Sequence, residues 1–125
     1  MELNEYQDRA MSTCMPSCNN ISYMLLNLVA EVGEFSGKLA KAIRRNEVAI
    51  GGNSPANKNR LTVVFPDDIL ALDQELQKEA GDILWQFAGV CTVMGWSLDD
   101  VGMGNLDKLA DRKERGVIDG EGDNR

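Results

Sequence analysis

Residues 28–39 read LVAEVGEFSGKL. Apolar side chains recur at Leu28, Val32, Phe35 and Leu39, in steps of four, three and four, the period of an α-helix with one buried stripe. Leu25 before the stretch and Ile43 after it keep the period, so the spacing predicts a helix over about 20–46. Ser17, Asn19 and Asn20 offer caps at its start. Lys41, Arg44 and Arg45 suit the dipole at its end. Residues 78–90, KEAGDILWQFAGV, belong to a second such helix. Its stripe is Ile69, Leu72, Leu76, Ala80, Ile83, Phe87, Val90 and Met94. Pro66, Asp67 and Asp68 fit its first turn, and Gly95 is a natural stop. Each helix is about 40 Å long at 1.5 Å per residue.

Two shorter helices flank this pair. One is predicted from Leu3 to Met15, ended by Pro16. The other opens at Ser97-Leu-Asp-Asp100, a capping box with Asp in place of Glu. It carries Val101, Leu106 and Leu109 and ends by Gly116. Residues 47–65 break the pattern with Gly51, Gly52, Asn53, Pro55 and Asn57. Thr62 to Phe65 reads as a short strand or a buried tether. A loop this long is uncommon in a compact domain and points to a functional segment such as a lid. The tail, 117–125, is rich in Gly and Asp and is expected to be extended or disordered unless it docks. The expected architecture is all-α: one domain over 1–125, a four-helix bundle with antiparallel neighbours and a long loop between helices two and three.

Composition narrows the chemistry. The chain has 125 residues, of which 43% are apolar, enough for a core without staples. It contains no His, so a Ser-His-Asp triad, a Cys-His pair and a His-ligated zinc are excluded. Any general base is Asp, Glu, Lys, Tyr or Cys. The formal charge is −7, against a nucleic-acid polymer as partner. No apolar run reaches the roughly 18 residues of a membrane span, and the polar, acidic N-terminus is no signal peptide. Cys14, Cys18 and Cys91 are an odd set, read as reduced thiols of a cytoplasmic protein. Trp85 and Trp96 are read as packing residues, and Met11, Met15 and Met24 as core or subunit contacts.

Helix two contains Glu31-Val-Gly-Glu34 and helix three Glu79-Ala-Gly-Asp82. Acids three apart share a helix face. Spacing alone is not diagnostic, because three further pairs of this kind occur, at 2/5, 5/8 and 111/114. The two helical pairs differ in lying mid-helix, at the edge of an apolar stripe. Each also encloses a glycine, Gly33 or Gly81, and a helical glycine costs about 1 kcal/mol against Ala. Close helix approach or backbone access for a ligand would explain that cost. If the helices pack antiparallel through their stripes, four carboxylates converge, and their repulsion calls for protons or a cation. An oxygen-only donor set suits Mg²⁺, or Mn²⁺, better than Zn²⁺ or Cu²⁺. The cations gather nearby in the sequence. Between Ser36 and Arg60 lie Lys38, Lys41, Arg44, Arg45, Lys58 and Arg60 against Glu47 alone, a net +5. On helix four, Asn105, Lys108 and Arg112 share a face suited to phosphate, with interleaved acids offering surface ion pairs as the alternative.

These segments together resemble the MazG-type all-α nucleoside triphosphate pyrophosphohydrolases. That family is marked by Glu-x-x-Glu, a spacer, then Glu-x-x-Asp. MGWSLDDVGMGNLDKLADRKERG, residues 94–116, is similar to its last helix, and GEGDNR, 120–125, to the ending of small stand-alone members. The 44-residue spacer is longer than usual for the family. The resemblance implies a homodimer or homotetramer, Mg²⁺ bound through Glu31, Glu34, Glu79 and Asp82, and hydrolysis of a nucleoside or deoxynucleoside triphosphate to the monophosphate and pyrophosphate. In that reaction Glu34 or Glu31 is the expected base, and Lys38, Asn105, Lys108 and Arg112 the expected substrate contacts. An alarmone hydrolase of the ppGpp type, or a non-catalytic helical regulatory subunit, are the alternative readings.

Overall fold

A computed structural model of the chain describes residues 1–50, 61–63 and 66–124. Four α-helices dominate: α1 (Leu3–Met11), α2 (Ile21–Arg44), α3 (Pro66–Val93) and α4 (Leu98–Glu114). A 3-10 turn at Pro16–Cys18 separates the first two. The all-α expectation holds, with one small addition. Strands β1 (Val48–Ile50) and β2 (Leu61–Val63) pair antiparallel, with Val48 opposite Val63. The strand reading of the segment from Thr62 is therefore met at its start. Val64, Phe65 and the predicted loop over 51–60 lie outside the described residues. No helix among the described residues is long and apolar enough to cross a membrane.

Local chemistry explains where the helices stop. The first ends at Met11 rather than Met15. The Ser12 hydroxyl donates to the Arg9 carbonyl at 2.6 Å and the Thr13 hydroxyl to the Ala10 carbonyl at 2.7 Å. These hydroxyls satisfy the last carbonyls and make continuation unnecessary. The other three helices end alike, each with a left-handed residue, Asn46, Gly95 or Gly116. Beyond each one the chain folds back, so that Glu47 N–H reaches Ala42 O, Trp96 N–H reaches Cys91 O and Val117 N–H reaches Arg112 O, all at 2.8–2.9 Å. That is the Schellman pattern, in which a positive φ lets two amides return to orphan carbonyls.

The residues group into two compact units. The first comprises 1–21 and 88–125. Its core is Ala88, Cys91 and Leu98, with Tyr6, Met11 and Val101 packed against it. Polar side chains of α1 organise the start of α4. Gln7 accepts from Leu98 N–H at 2.8 Å, and Asn4 accepts from Asp99 N–H at 3.1 Å. Ser97 accepts from Asp100 N–H at 3.2 Å, as the capping box requires. With Val101 N–H bonded to Ser97 O, the first four amides of α4 all have partners. The tail docks in the same unit, through Asp123, rather than running free.

The second unit comprises 22–87. Here the buried faces differ from the predicted stripes. On α2, Leu25, Val32 and Ile43 are exposed, and the inward line runs through Met24, Leu28, Glu31, Phe35, Lys38 and Ala42. On α3 it runs through Leu72, Leu76, Glu79, Ile83 and Gln86, and Ala80 and Phe87 stand exposed. Four polar residues thus take stripe positions that apolar spacing assigns to their neighbours one residue on. Lys38 pairs with Glu75 and Glu79, and further along the chain Ala42 and Arg45 share a cavity with Ala71 and Leu72, earlier in α3, so the end of α2 lies by the start of α3, antiparallel as expected. A Cβ built on Gly33 or Gly81 would meet no atom within 4 Å among the described residues. Close packing within the chain is therefore not why these positions are glycine.

Candidate metal and anion site

Because α2 and α3 run antiparallel, their mid-helix acids meet. One carboxylate oxygen from each of Glu31, Glu34 and Glu79 lies within 4.8 Å of the others. Glu79 is buried, Glu31 half-buried and Glu34 exposed, so the cluster opens from a dry end to a wet one. Asp82 stands outside that trio but close enough for its charge to act on Glu31. Desolvation, above all, holds the Glu31 carboxyl above its usual range. A hydrogen bond from Asn27 Nδ2 to Glu31 Oε1, 2.9 Å, opposes the shift, and repulsion from Glu34, Asp82 and Glu79 adds to it. The donors are oxygens throughout, and hard divalent cations are the ions that such a set favours. Three converging carboxylates, the half-buried Glu31 among them held above its usual range, are a site that a cation would relieve.

One turn further along α2, Lys38 closes the cluster. Its Nζ lies 3.1 Å from Glu79 Oε1 and 3.6 Å from Glu75 Oε2. The bond to Glu79 holds the ammonium above its ordinary range. Beyond it opens a cavity of about 520 Å³, floored by Ala42 and Leu72 and walled by Lys38, Lys41, Arg45, Glu47 and Glu75. Three cations against two acids make this pocket net positive, immediately beside the acidic cluster. The Val48 side chain of β1 is buried at 4% exposure, which anchors the turn that carries Glu47.

The remaining predicted contacts sit on α4, in the first unit. Asn105 is exposed. Arg112 is only 5% exposed, and its Nη2 donates to Asp123 Oδ1 at 2.8 Å and to the Gly122 carbonyl at 3.3 Å. Lys108 Nζ reaches the same Asp123 oxygen at 3.3 Å. These two cations hold the Asp123 carboxyl below its usual range, Arg112 first. The interleaved acids also form the expected surface pairs, Arg115 with Asp111 at 2.6 Å. Trp85 is half-buried, but Trp96 is half exposed and only partly fulfils a packing role. Cys91 is fully buried, and burial pushes its thiol up, away from reactivity.

Sequence reasoning missed four residues of interest. Asn27 was findable, being one turn before Glu31 on the same face. Glu75 precedes Glu79 by four and was equally visible as a second partner for Lys38. Asp123 was noticed only as part of a terminal string. Gln86 carries no signal at all: it is 3% exposed, and its Oε1 has no hydrogen-bond partner among the described residues.

Comparison with known proteins bears on this geometry. Residues 19–117 match the MazG nucleotide pyrophosphohydrolase domain, a span containing both acidic pairs and the cavity. The "Gene 37 protein" of Mycobacterium phage L5 is 33% identical over 132 residues, with all of both chains covered. No solved structure matches. The match spans most of the chain and includes the helices that bring the carboxylates together, and on that ground the chain belongs to the MazG nucleotide pyrophosphohydrolase family.

Proposed function

We propose that this protein hydrolyses a nucleoside or deoxynucleoside triphosphate to the monophosphate and pyrophosphate, with Mg²⁺ held by Glu31, Glu34, Glu79 and Asp82. The observation that carries the reading is the convergence of three of those carboxylates within 4.8 Å beside a cation-lined cavity. Bound there, the metal would supply charge neutralisation and Lewis acidity toward the phosphoryl group. The protein's own residues do the rest. Glu31 is steadied by Asn27, which occupies one of its oxygens. Glu34 is exposed and bears no such bond among the described residues, so it is the better placed to accept the proton of an attacking water. Lys38, Lys41 and Arg45 line the cavity where negative charge on the leaving pyrophosphate would be neutralised. For Asn105, Lys108 and Arg112 of α4, in the first unit, the proposed role is contact with phosphate oxygens, which Lys108 and Arg112 would take in exchange for Asp123.

Assembly belongs to the same proposal. Leu26 and Val29 of α2 are 75% and 72% exposed, and Leu25 and Val32 flank them at about half exposure. A row of four large aliphatic side chains on one helix is a face for another copy of the chain, in a homodimer or homotetramer.

A panel of nucleoside and deoxynucleoside triphosphates with Mg²⁺, together with ppGpp, tests the function by reading pyrophosphate against orthophosphate. Glu34→Gln and Asp82→Asn should each abolish pyrophosphate release while helicity is unchanged. Full turnover in both variants would refute the site, and turnover of ppGpp alone would move the substrate to the alarmones.

A further inference from the structure

Lys38 stands between two sites, the carboxylate trio and the cavity, and its shortest ion pair is to the trio. Its ammonium is paired with Glu79, the buried member of the carboxylate trio, at 3.1 Å. A divalent cation bound by the trio would need that same carboxylate. Lys38 also lines the neighbouring cavity with Lys41 and Arg45. Along α2, Glu31, Glu34, Lys38, Lys41 and Arg45 follow in steps of three, four, three and four, so a single helix face passes from carboxylates to cations. While Lys38 is bonded to Glu79, its charge is spent on the cluster rather than offered to an anion.

We propose that Lys38 is the resident counter-ion of the carboxylate cluster, released from Glu79 when a divalent cation takes its place and delivered into the cavity to hold an anionic, phosphate-type ligand. The inference rests on the reading of the trio as a metal site. It makes Lys38 a relay between two binding events. Metal binding frees the ammonium for the anion, and by linkage the anion, once it holds the ammonium, favours the metal by the same factor. The lysine stays protonated in both positions, so no proton is exchanged.

The test uses Mn²⁺ as the metal, followed by electron paramagnetic resonance, and inorganic phosphate as the anion, followed by calorimetry. Lys38→Met should bind Mn²⁺ alone roughly three- to tenfold more tightly than the native protein, the range expected for removing a partly buried competing ion pair. In the same variant, the factor by which saturating Mn²⁺ strengthens phosphate binding should fall about threefold or more, and Lys38→Arg should restore it. A second comparison needs no metal. Glu79→Gln and Glu34→Gln remove the same charge from the same cluster, but of these two acids it is Glu79 that pairs with Lys38, and the Glu75 pair is kept in both variants. Glu79→Gln should therefore bind phosphate about threefold more tightly than Glu34→Gln. Native Mn²⁺ affinity in Lys38→Met, unchanged coupling, or equal phosphate affinity in the two acid variants would each overturn the relay. Failure of the native protein to bind Mn²⁺ at all would instead overturn the metal site on which it rests, and the relay with it.

Discussion

Replacing Gln7 with alanine should destabilise the protein far more than its place on a short, polar N-terminal helix suggests. Gln7 is 8% exposed and makes three hydrogen bonds across some ninety residues of sequence. Its Nε2 donates to Thr92 Oγ1 at 3.0 Å and to the Trp96 carbonyl at 2.9 Å, and its Oε1 accepts from Leu98 N–H at 2.8 Å. Thr92 is exposed and can turn to water. The Leu98 amide, at the dry start of α4, has no such recourse, and the Trp96 carbonyl loses a partner. Orphaned buried groups cost about 1–3 kcal/mol each, and the entropy of the released side chain returns about 1.5 kcal/mol. The net loss is about 2–3 kcal/mol. For a chain of this length that lowers Tm by roughly 10 °C. Circular dichroism on heating and in urea, at one fixed protein concentration, reads both quantities. Gln7→Glu keeps the acceptor for Leu98 but turns a charged oxygen toward the Trp96 carbonyl, so at neutral pH it should be less stable than Gln7→Ala. A loss under about 0.5 kcal/mol in Gln7→Ala would refute the reasoning, because no unsatisfied buried amide is that cheap.

Other variants should move the other way. Gln86→Met, which removes an unpartnered buried acceptor at nearly constant volume, should stabilise the protein by about 1 kcal/mol in urea unfolding. Gly81→Ala meets no steric obstacle on α3 and should add about 1 kcal/mol by the same measurement. The tail contact should depend on acid. The folded Asp123 carboxyl titrates below its unfolded value, so its contribution is complete above the ordinary Asp range and is lost as pH falls through the depressed folded pKa. Limited proteolysis with an acid-active protease should therefore leave residues 117–125 protected at pH 5 and cut at the lowest pH that keeps the helices intact. Asp123→Asn should be cut at both.

Helix ends were legible in the sequence because their causes are local. Pro66, Gly95, Ser97 and Gly116 each act within one turn, and the structure places the ends of α3 and α4 within a residue or two of where they predict. The end of α1 was missed because Ser12 and Thr13 stop it before Pro16 could. Helix faces were less legible. Apolar spacing discards polar residues from the core, yet Glu31, Lys38, Glu79 and Gln86 lie on the inward lines. Val32 and Phe87, which the period assigns inside, are left exposed in a single chain. The convergence of Glu31, Glu34 and Glu79 was readable because acids three apart share a helix face and the two helices run antiparallel. The engagement of Arg112 and Lys108 by Asp123 was not, because it depends on how a glycine-rich tail turns.

The first unit is assembled from the two ends of the chain, with sixty-six residues of the second between them. During synthesis this fixes an order. Residues 22–87 are contiguous, so the second unit is available once most of α3 has emerged. Asn4 and Gln7 leave the ribosome some ninety residues ahead of their donors and acceptors at 92–99, so these bonds of α1 wait for the end of α3 and the start of α4. Closing that long loop costs entropy, and the contacts that repay it come from the end of α3 and the start of α4 together. A nascent chain halted before residue 97 would have Ala88 and Cys91 for Tyr6 and Met11 to pack on, but Asn4 and Gln7 would lack their donors at 97–99.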